Sequence, residues 1–161
     1  MRFAHEVHPS EIAYDYGTSV RTLEAIGRRE AFGFNWDRSH MAWQGIDTVS
    51  FITDFSDRIY HVDCKDTRIR EASSRQGILG SHLAWGDPRR GWDFVSTGHG
   101  DIPWEDAFRA LASIGYDGPI SIEWEDAGMD RLHGAAEAVR YIRDLLWKLP
   151  ETSFDAAFSN Q

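Results

Sequence analysis

Short apolar runs alternate with amphipathic stretches along most of the chain. Met1 to Val7 reads as a strand that stops at His8-Pro9, because proline disfavours helix at the residue before it. Val20, Leu23, Ala25 and Ile26 recur at helical spacing and predict a helix over Ser19 to Arg29, with Thr18 or Ser19 as its cap. Phe32 to Trp36 is a second strand, and Val49, Ile52 and Phe55 mark one face of a helix over Ile46 to Phe55. Ile59 to Cys64 is a third strand, followed by the charged run Lys65-Asp66-Thr67-Arg68. From Ile69 to Gly100 the periodicity is lost among glycines, with Trp85 and Trp92 embedded, which predicts a long ordered loop of the kind that covers a site. Pro103 to Ile114 is a helix with Asp101 as its cap and Ala107, Phe108, Leu111 and Ile114 as its stripe. A turn at Gly115 to Pro119 leads into a fourth strand, Ile120 to Trp124, and Ala135 to Leu149 is the last helix.

Four strand-then-helix units in series predict an α/β fold with a parallel sheet and helical crossovers. Residues 1–149 form one domain in this reading and residues 150–161 a tail. An apolar fraction of 42% and a charged fraction of 27% are those of a soluble globular protein. No apolar run approaches the roughly 18 residues a spanning helix needs, so no membrane partner is expected. The net charge of −9 argues against nucleic acid, which would want a basic face. A single cysteine, Cys64, excludes an internal disulfide framework, and with no apolar leader at the first residues the expected location is the cytoplasm.

The polar residues carry the chemistry. His5, Glu6, Asn35, Asp37, His61, Asp63, Glu123 and Glu125 all fall at or just past the C-terminal ends of predicted strands. In a β/α barrel those ends meet on one face, and an open doubly wound sheet also collects ligand groups there. No glycine-rich phosphate or dinucleotide motif is present. A lone acid at a strand end often serves only the following helix. One carboxylate from each unit converging on one point would instead repel the others unless a divalent cation paired them. Oxygen donors with one imidazole suit Mn²⁺ or Mg²⁺ first, with Co²⁺ or Zn²⁺ as the remaining candidates.

Four stretches resemble a known family. Asn35-Trp36-Asp37-Arg38-Ser39-His40, continuing through Trp43-Gln44-Gly45-Ile46-Asp47, is similar to N-x-D-x-S-H-x-x-W-Q-G-x-D, and His61-Val62-Asp63-Cys64-Lys65-Asp66-Thr67 to H-V-H-x-K-D-T. Gly98-x-Gly100 with Trp104, and then Gly115-Tyr116-Asp117-Gly118 through Ser121-Ile122-Glu123-Trp124-Glu125-Asp126, complete the set. Together they resemble the C-terminal half of the sugar phosphate isomerase/epimerase family, the xylose-isomerase-like (β/α)8 TIM barrels. A complete barrel runs to about 250 residues, so the expectation is a half-barrel: a piece of a longer enzyme lacking its N-terminal half, or a unit completed by a homodimer partner.

The resemblance implies metal ligands at Glu6, Asp37, the second histidine of H-V-H and Glu123. That histidine is Asp63 here. Either Asp63 ligates directly or His61, on the same strand face, takes its place; Asp63 is preferred. His40 is then expected on substrate oxygen and Lys65 on a developing enediolate. His61 and Arg68 would contact substrate, and Trp85 and Trp92 would cover a sugar's apolar face. His5 and His8 read as structural. The implied reaction is isomerisation or epimerisation of a sugar or polyol by proton transfer α to a carbonyl, with Glu6 and Glu123 moving the proton. Dehydration of a keto-inositol is the rival chemistry, and a non-catalytic sugar-binding relic the rival class.

Overall fold

The computed structural model describes residues 1–70, 76–79, 82–146 and 149. In chain order its elements are β1 (Phe3–Glu6), α1 (Tyr16–Ala25), β2 (Phe32–Asp37), α2 (Arg38–Ala42), α3 (Thr48–Asp54) and β3 (Ile59–Cys64). Next come β4 (Asp66–Ile69), β5 (Trp92–Val95), α4 (Trp104–Ser113), β6 (Ile120–Ile122) and α5 (Arg131–Asp144). Strands β1, β2, β3 and β6 lie side by side in that order, every neighbouring pair parallel. This is the four-strand, half-barrel arrangement expected from the sequence.

Alternation along each strand separates core from site. Phe34, Trp36, Val62 and Cys64 are fully buried on the helix-facing side. There Phe34 meets Phe51 and Phe55, and Trp36 packs edge-on to Trp104 while its Nε1 donates to the Thr48 carbonyl at 3.1 Å. Losing a buried ring of this kind costs about 3–5 kcal/mol. The alternate residues Glu6, Asn35, Asp37, His61, Asp63 and Ser121 share the other face, with Asn35 opposite both Glu6 and His61, and Asp63 opposite both Asp37 and Ser121. A register slip makes this possible: Phe34 pairs with Ile59 but Asn35 with His61, so Tyr60 is the extra residue. Gly33 permits it, since a Cβ there would collide with the Arg58 carbonyl and the Tyr60 ring.

The local details depart from the sequence pattern for identifiable reasons. Helix α1 starts earlier than Ser19 because Asp15 caps it: Asp15 Oδ1 accepts from Thr18 N at 2.7 Å and Thr18 Oγ1 from Asp15 N at 2.9 Å, a capping box in which Thr18 is the inner member. Helix α2 is too short to show a period; Asp37 caps it by accepting from Ser39 N at 2.8 Å. The segment expected to be one long loop instead supplies β5, which pairs antiparallel with β4 in the charged run before it, Asp66 with Val95 and Ile69 with Trp92. Asp101 does not cap α4; its Oδ2 accepts from Ile69 N at 2.6 Å and so ties the chain to that strand pair. Helix α5 begins before Ala135 because Asp130 accepts from Leu132 N and His133 N, and Gly134 fits inside it against Trp124. The expected tail, residues 150–161, lies outside the described residues. Among those described, no helix is long and apolar enough to cross a membrane.

Candidate active site

Glu6 ends β1, Asp37 ends β2, and His40 follows Asp37 by three residues, so one turn of α2 carries its imidazole back over the strand ends. His40 Nε2 lies 3.3 Å from Glu6 Oε1 and 3.3 Å from Asp37 Oδ2. One ring nitrogen carries at most one proton, so it cannot satisfy both carboxylates. Asp37 is wholly buried, and its Oδ2 receives no well-formed hydrogen bond. The three donor atoms lie within 4.8 Å of one another, the one such His/Asp/Glu group among the described residues. Small divalent ions hold oxygen and nitrogen donors at about 2.1 Å, which sets neighbouring donors roughly 3.0–3.4 Å apart. The spacing, the orphaned buried oxygen and the mixed oxygen–nitrogen donor set fit such an ion.

The electrostatics without an ion point the same way. Burial pushes the Asp37 carboxyl well above the usual carboxylate range, only partly opposed by Ser39 and the nearby Lys65 charge. The hydrogen bond from His40 holds Glu6 below its ordinary value against burial. Burial lowers His40 despite its contact with Glu6. An imidazole and a carboxyl whose charged forms burial both disfavours, set beside Glu6, form a donor set ready for a cation.

Lys65 stands next to this group, two residues beyond Asp63 and buried. Its Nζ donates to Glu123 Oε1 at 2.6 Å, lies 2.8 Å from Glu125 Oε1, and sits 4.3 Å from the centre of the Phe94 ring. Burial works against its charge, but the two carboxylates outweigh it and hold the ammonium above its usual value. Asp63 is occupied differently: Asn35 Nδ2 donates to its Oδ2 at 2.6 Å and His61 Nε2 lies 3.2 Å from Oδ1. His61 Nε2 is also 2.8 Å from Ser121 Oγ. The structure therefore gathers Glu6 and Asp37 with His40, and leaves Asp63 and Glu123 on the same face with partners of their own.

A cavity of about 320 Å³ opens beside His40, walled by Trp43, Trp85, Trp92 and Phe94, with His8 on its rim. Trp85 is half exposed, whereas Trp92 is nearly buried and stacks flat on Trp43 with ring centres 5.0 Å apart. Arg68 does not reach this cavity; it donates to the His99 carbonyl and lines a separate cleft with Arg70 and Asp126. The His8 ring packs edge-on to His40 with centres 4.1 Å apart. The structural reading of His8 overlooked a signal, since it follows Glu6 by two residues, as Glu125 follows Glu123. His5 lies on the other side of β1 against Phe32.

The signature residues around Asp66 acquire a physical reason. Its buried carboxylate accepts from Thr67 N at 2.8 Å, Gly98 N at 2.9 Å, Gly100 N at 3.2 Å and Trp104 Nε1 at 3.0 Å. Gly100 must be glycine, because a Cβ would strike that carboxylate. One acid thus clasps the loop after β5 against β4, directly beside Lys65.

A family profile described as Xylose isomerase-like TIM barrel matches residues 1–145. Among curated proteins, the chain is similar to the uncharacterized protein YfiH of Bacillus subtilis, 30% identical over 148 residues that cover 90% of this chain and 47% of YfiH. It is 26% identical over 153 residues to the inosose dehydratase of Lacticaseibacillus casei, covering 89% of this chain and 50% of that enzyme. Among solved structures, the probable 3-DHS dehydratase AsbF of Bacillus anthracis superposes with a TM-score of 0.66 at 17% identity, over 89% of this chain and 49% of that one, a likeness of fold. The chain spans about half the length of the curated relatives it matches.

Proposed function

The chain belongs to the xylose isomerase-like TIM-barrel family, and from that premise we propose that it carries half of a metal-dependent site that removes a proton α to the carbonyl of a polyhydroxylated ketone. The observation that carries the reading is the meeting of Glu6, Asp37 and His40, one buried oxygen among them unsatisfied, beside the Lys65–Glu123 pair. Those three residues would hold the cation, which when bound stabilises negative charge on the substrate's oxygens. Glu123, with one oxygen pinned by Lys65, is the base that takes the α proton and leaves an enediolate. Lys65 acts chiefly by orienting that base. The aromatic wall of Trp85, Trp92 and Phe94 excludes water and receives the ring's apolar face.

Dehydration is the first reading of the enediolate's fate, supported by relatives named as dehydratases. In that course the enediolate expels a β-hydroxyl, and His8, on the rim of the cavity beside His40, donates the proton that lets it leave as water. The second reading is isomerisation or epimerisation, favoured by the carboxylates Glu6 and Glu123 on the two outermost strand ends, from which a proton can be removed and returned. The other wall of the pocket would come from a second four-strand unit, on a longer polypeptide or a second copy.

The test is incubation with Mn²⁺ and 2-keto-myo-inositol in D₂O, followed by NMR. Loss of water to an enol that tautomerises to a 1,2-diketone, with deuterium at the former β carbon and none at the α carbon, supports dehydration. Deuterium with a rearranged or epimerised ketone and no loss of water supports the second reading. An Mn²⁺-loaded protein, completed by its second unit, that leaves the α proton in place sinks both.

A further inference from the structure

The aromatic cavity offers hydroxyl-bearing substrates a ring platform, and Glu125 lines an adjoining hollow that shares Trp85 and Phe94 with it. An ammonium has three N–H donors and serves many proteins as a phosphate or carboxylate receptor. Lys65 is a buried cation whose charge is felt by Glu6, Asp37 and His40, and its partners are Glu123 at 2.6 Å, Glu125 at 2.8 Å and the Phe94 ring at 4.3 Å. One carboxylate neutralises an ammonium, so the second leaves this corner with a net negative charge. The arginines on the same side are also committed. Arg90 Nε lies 2.9 Å from Asp93 Oδ1 with its guanidinium 3.9 Å over the Trp85 ring, Arg70 pairs with Asp93 as well, and Arg68 bonds the His99 carbonyl.

We propose that Glu125 sets the charge specificity of the site: with Lys65 already matched by Glu123, its carboxylate leaves this corner negative, turning the site away from phosphate- and carboxylate-bearing molecules and towards an uncharged polyhydroxylated ring. This rests on the proposed-function reading and deepens it. The platform suits such a ring, since its C–H face can lie on the half-exposed Trp85 while its hydroxyls meet polar groups. Glu125 is half exposed and lies beyond β6, so replacing it leaves the core intact.

The experiment uses the 161-residue chain in EDTA, with inorganic phosphate and myo-inositol as probes followed by ³¹P and saturation-transfer NMR. The wild type is expected to bind myo-inositol and to bind phosphate at least about tenfold more weakly than Glu125→Gln does, the size expected from removing one partly screened negative charge. The gain should vanish in Glu125→Gln combined with Lys65→Met, while myo-inositol binding survives Glu125→Gln and is lost in Trp85→Ala. Equal phosphate affinity in wild type and Glu125→Gln overturns the proposal, as does a gain that persists without Lys65. A parallel Mn²⁺ titration of the wild type keeps the two readings apart. Absent Mn²⁺ binding counts against the metal-dependent function, whereas an absent phosphate gain in a protein that binds Mn²⁺ counts against the role of Glu125 alone.

Discussion

Asp37 and Asp63 face each other across β2 and β3, on the same side of the sheet, yet their surroundings are opposite. Asp63 has a partner for each oxygen, Asn35 on one and His61 on the other. Asp37 spends one oxygen on the start of α2 and leaves the other buried without a good donor, facing an imidazole that already faces Glu6. A buried polar group left unpaired costs about 1–3 kcal/mol. An acid at a strand end becomes available to a cation through what its neighbours fail to supply. Position alone makes it a candidate.

The sharpest way to break this comparison is to neutralise each acid in turn. Asp37→Asn is expected to weaken Mn²⁺ binding about a hundredfold or more, and Asp63→Asn by less than about threefold, read by calorimetry. Equal losses would make the two carboxylates equivalent. Next, Mn²⁺ at about a hundred times its dissociation constant should stabilise the fold by about 2.7 kcal/mol, a rise of several degrees in Tm. That gain should depend on pH with a definite sign. Burial raises Asp37 above its unfolded value, so its contribution to the metal-free fold is present at low pH and lost as pH climbs through the raised value. Mn²⁺ offsets that loss, and the Tm difference should widen from acid to neutral pH; a flat difference would remove Asp37 from the linkage.

Asp66 supplies a third acid for contrast, since four donors satisfy it completely. Asp66→Asn should cost about 1.5–3 kcal/mol of stability by denaturant unfolding, with Mn²⁺ affinity changed far less than by Asp37→Asn. The smallest effect is expected one residue from Asp63 on the opposite side of the strand. Cys64 is fully buried, and burial followed by nearby carboxylates pushes its thiol up, so a thiol reagent should leave it unmodified until the protein unfolds.

Much of this was legible in the sequence. Four apolar runs, each followed by an amphipathic stretch, define the sheet and its crossovers, and the strand-end acids Glu6, Asp37, Asp63 and Glu123 do share one face. The hairpin β4–β5 was hidden because its strands are short and β5 is buried along its whole length, which erases alternation. The placement of His40 beside Asp37 was readable in principle from their three-residue spacing. The private partners of Asp63 were not, because Asn35 comes from another strand whose alignment with His61 depends on a slip that no local pattern reports. The two tryptophans of the aperiodic segment differ for a similar reason: stacking on Trp43 takes Trp92 out of solvent and leaves Trp85 as the accessible ring.

That slip has a further reach. Without Tyr60 as a supernumerary residue, everything after it in β3 would rotate by one place, turning Val62 and Cys64 towards the face that carries Glu6 and Asp37 and burying His61 and Asp63 among the helices. A methyl group added to Gly33 would press on the very residue that sets this alternation of the strand. The polarity of the site-bearing face is thus inherited from a crowded backbone crossing, and a graft of the pocket onto another scaffold would have to carry that crossing with it.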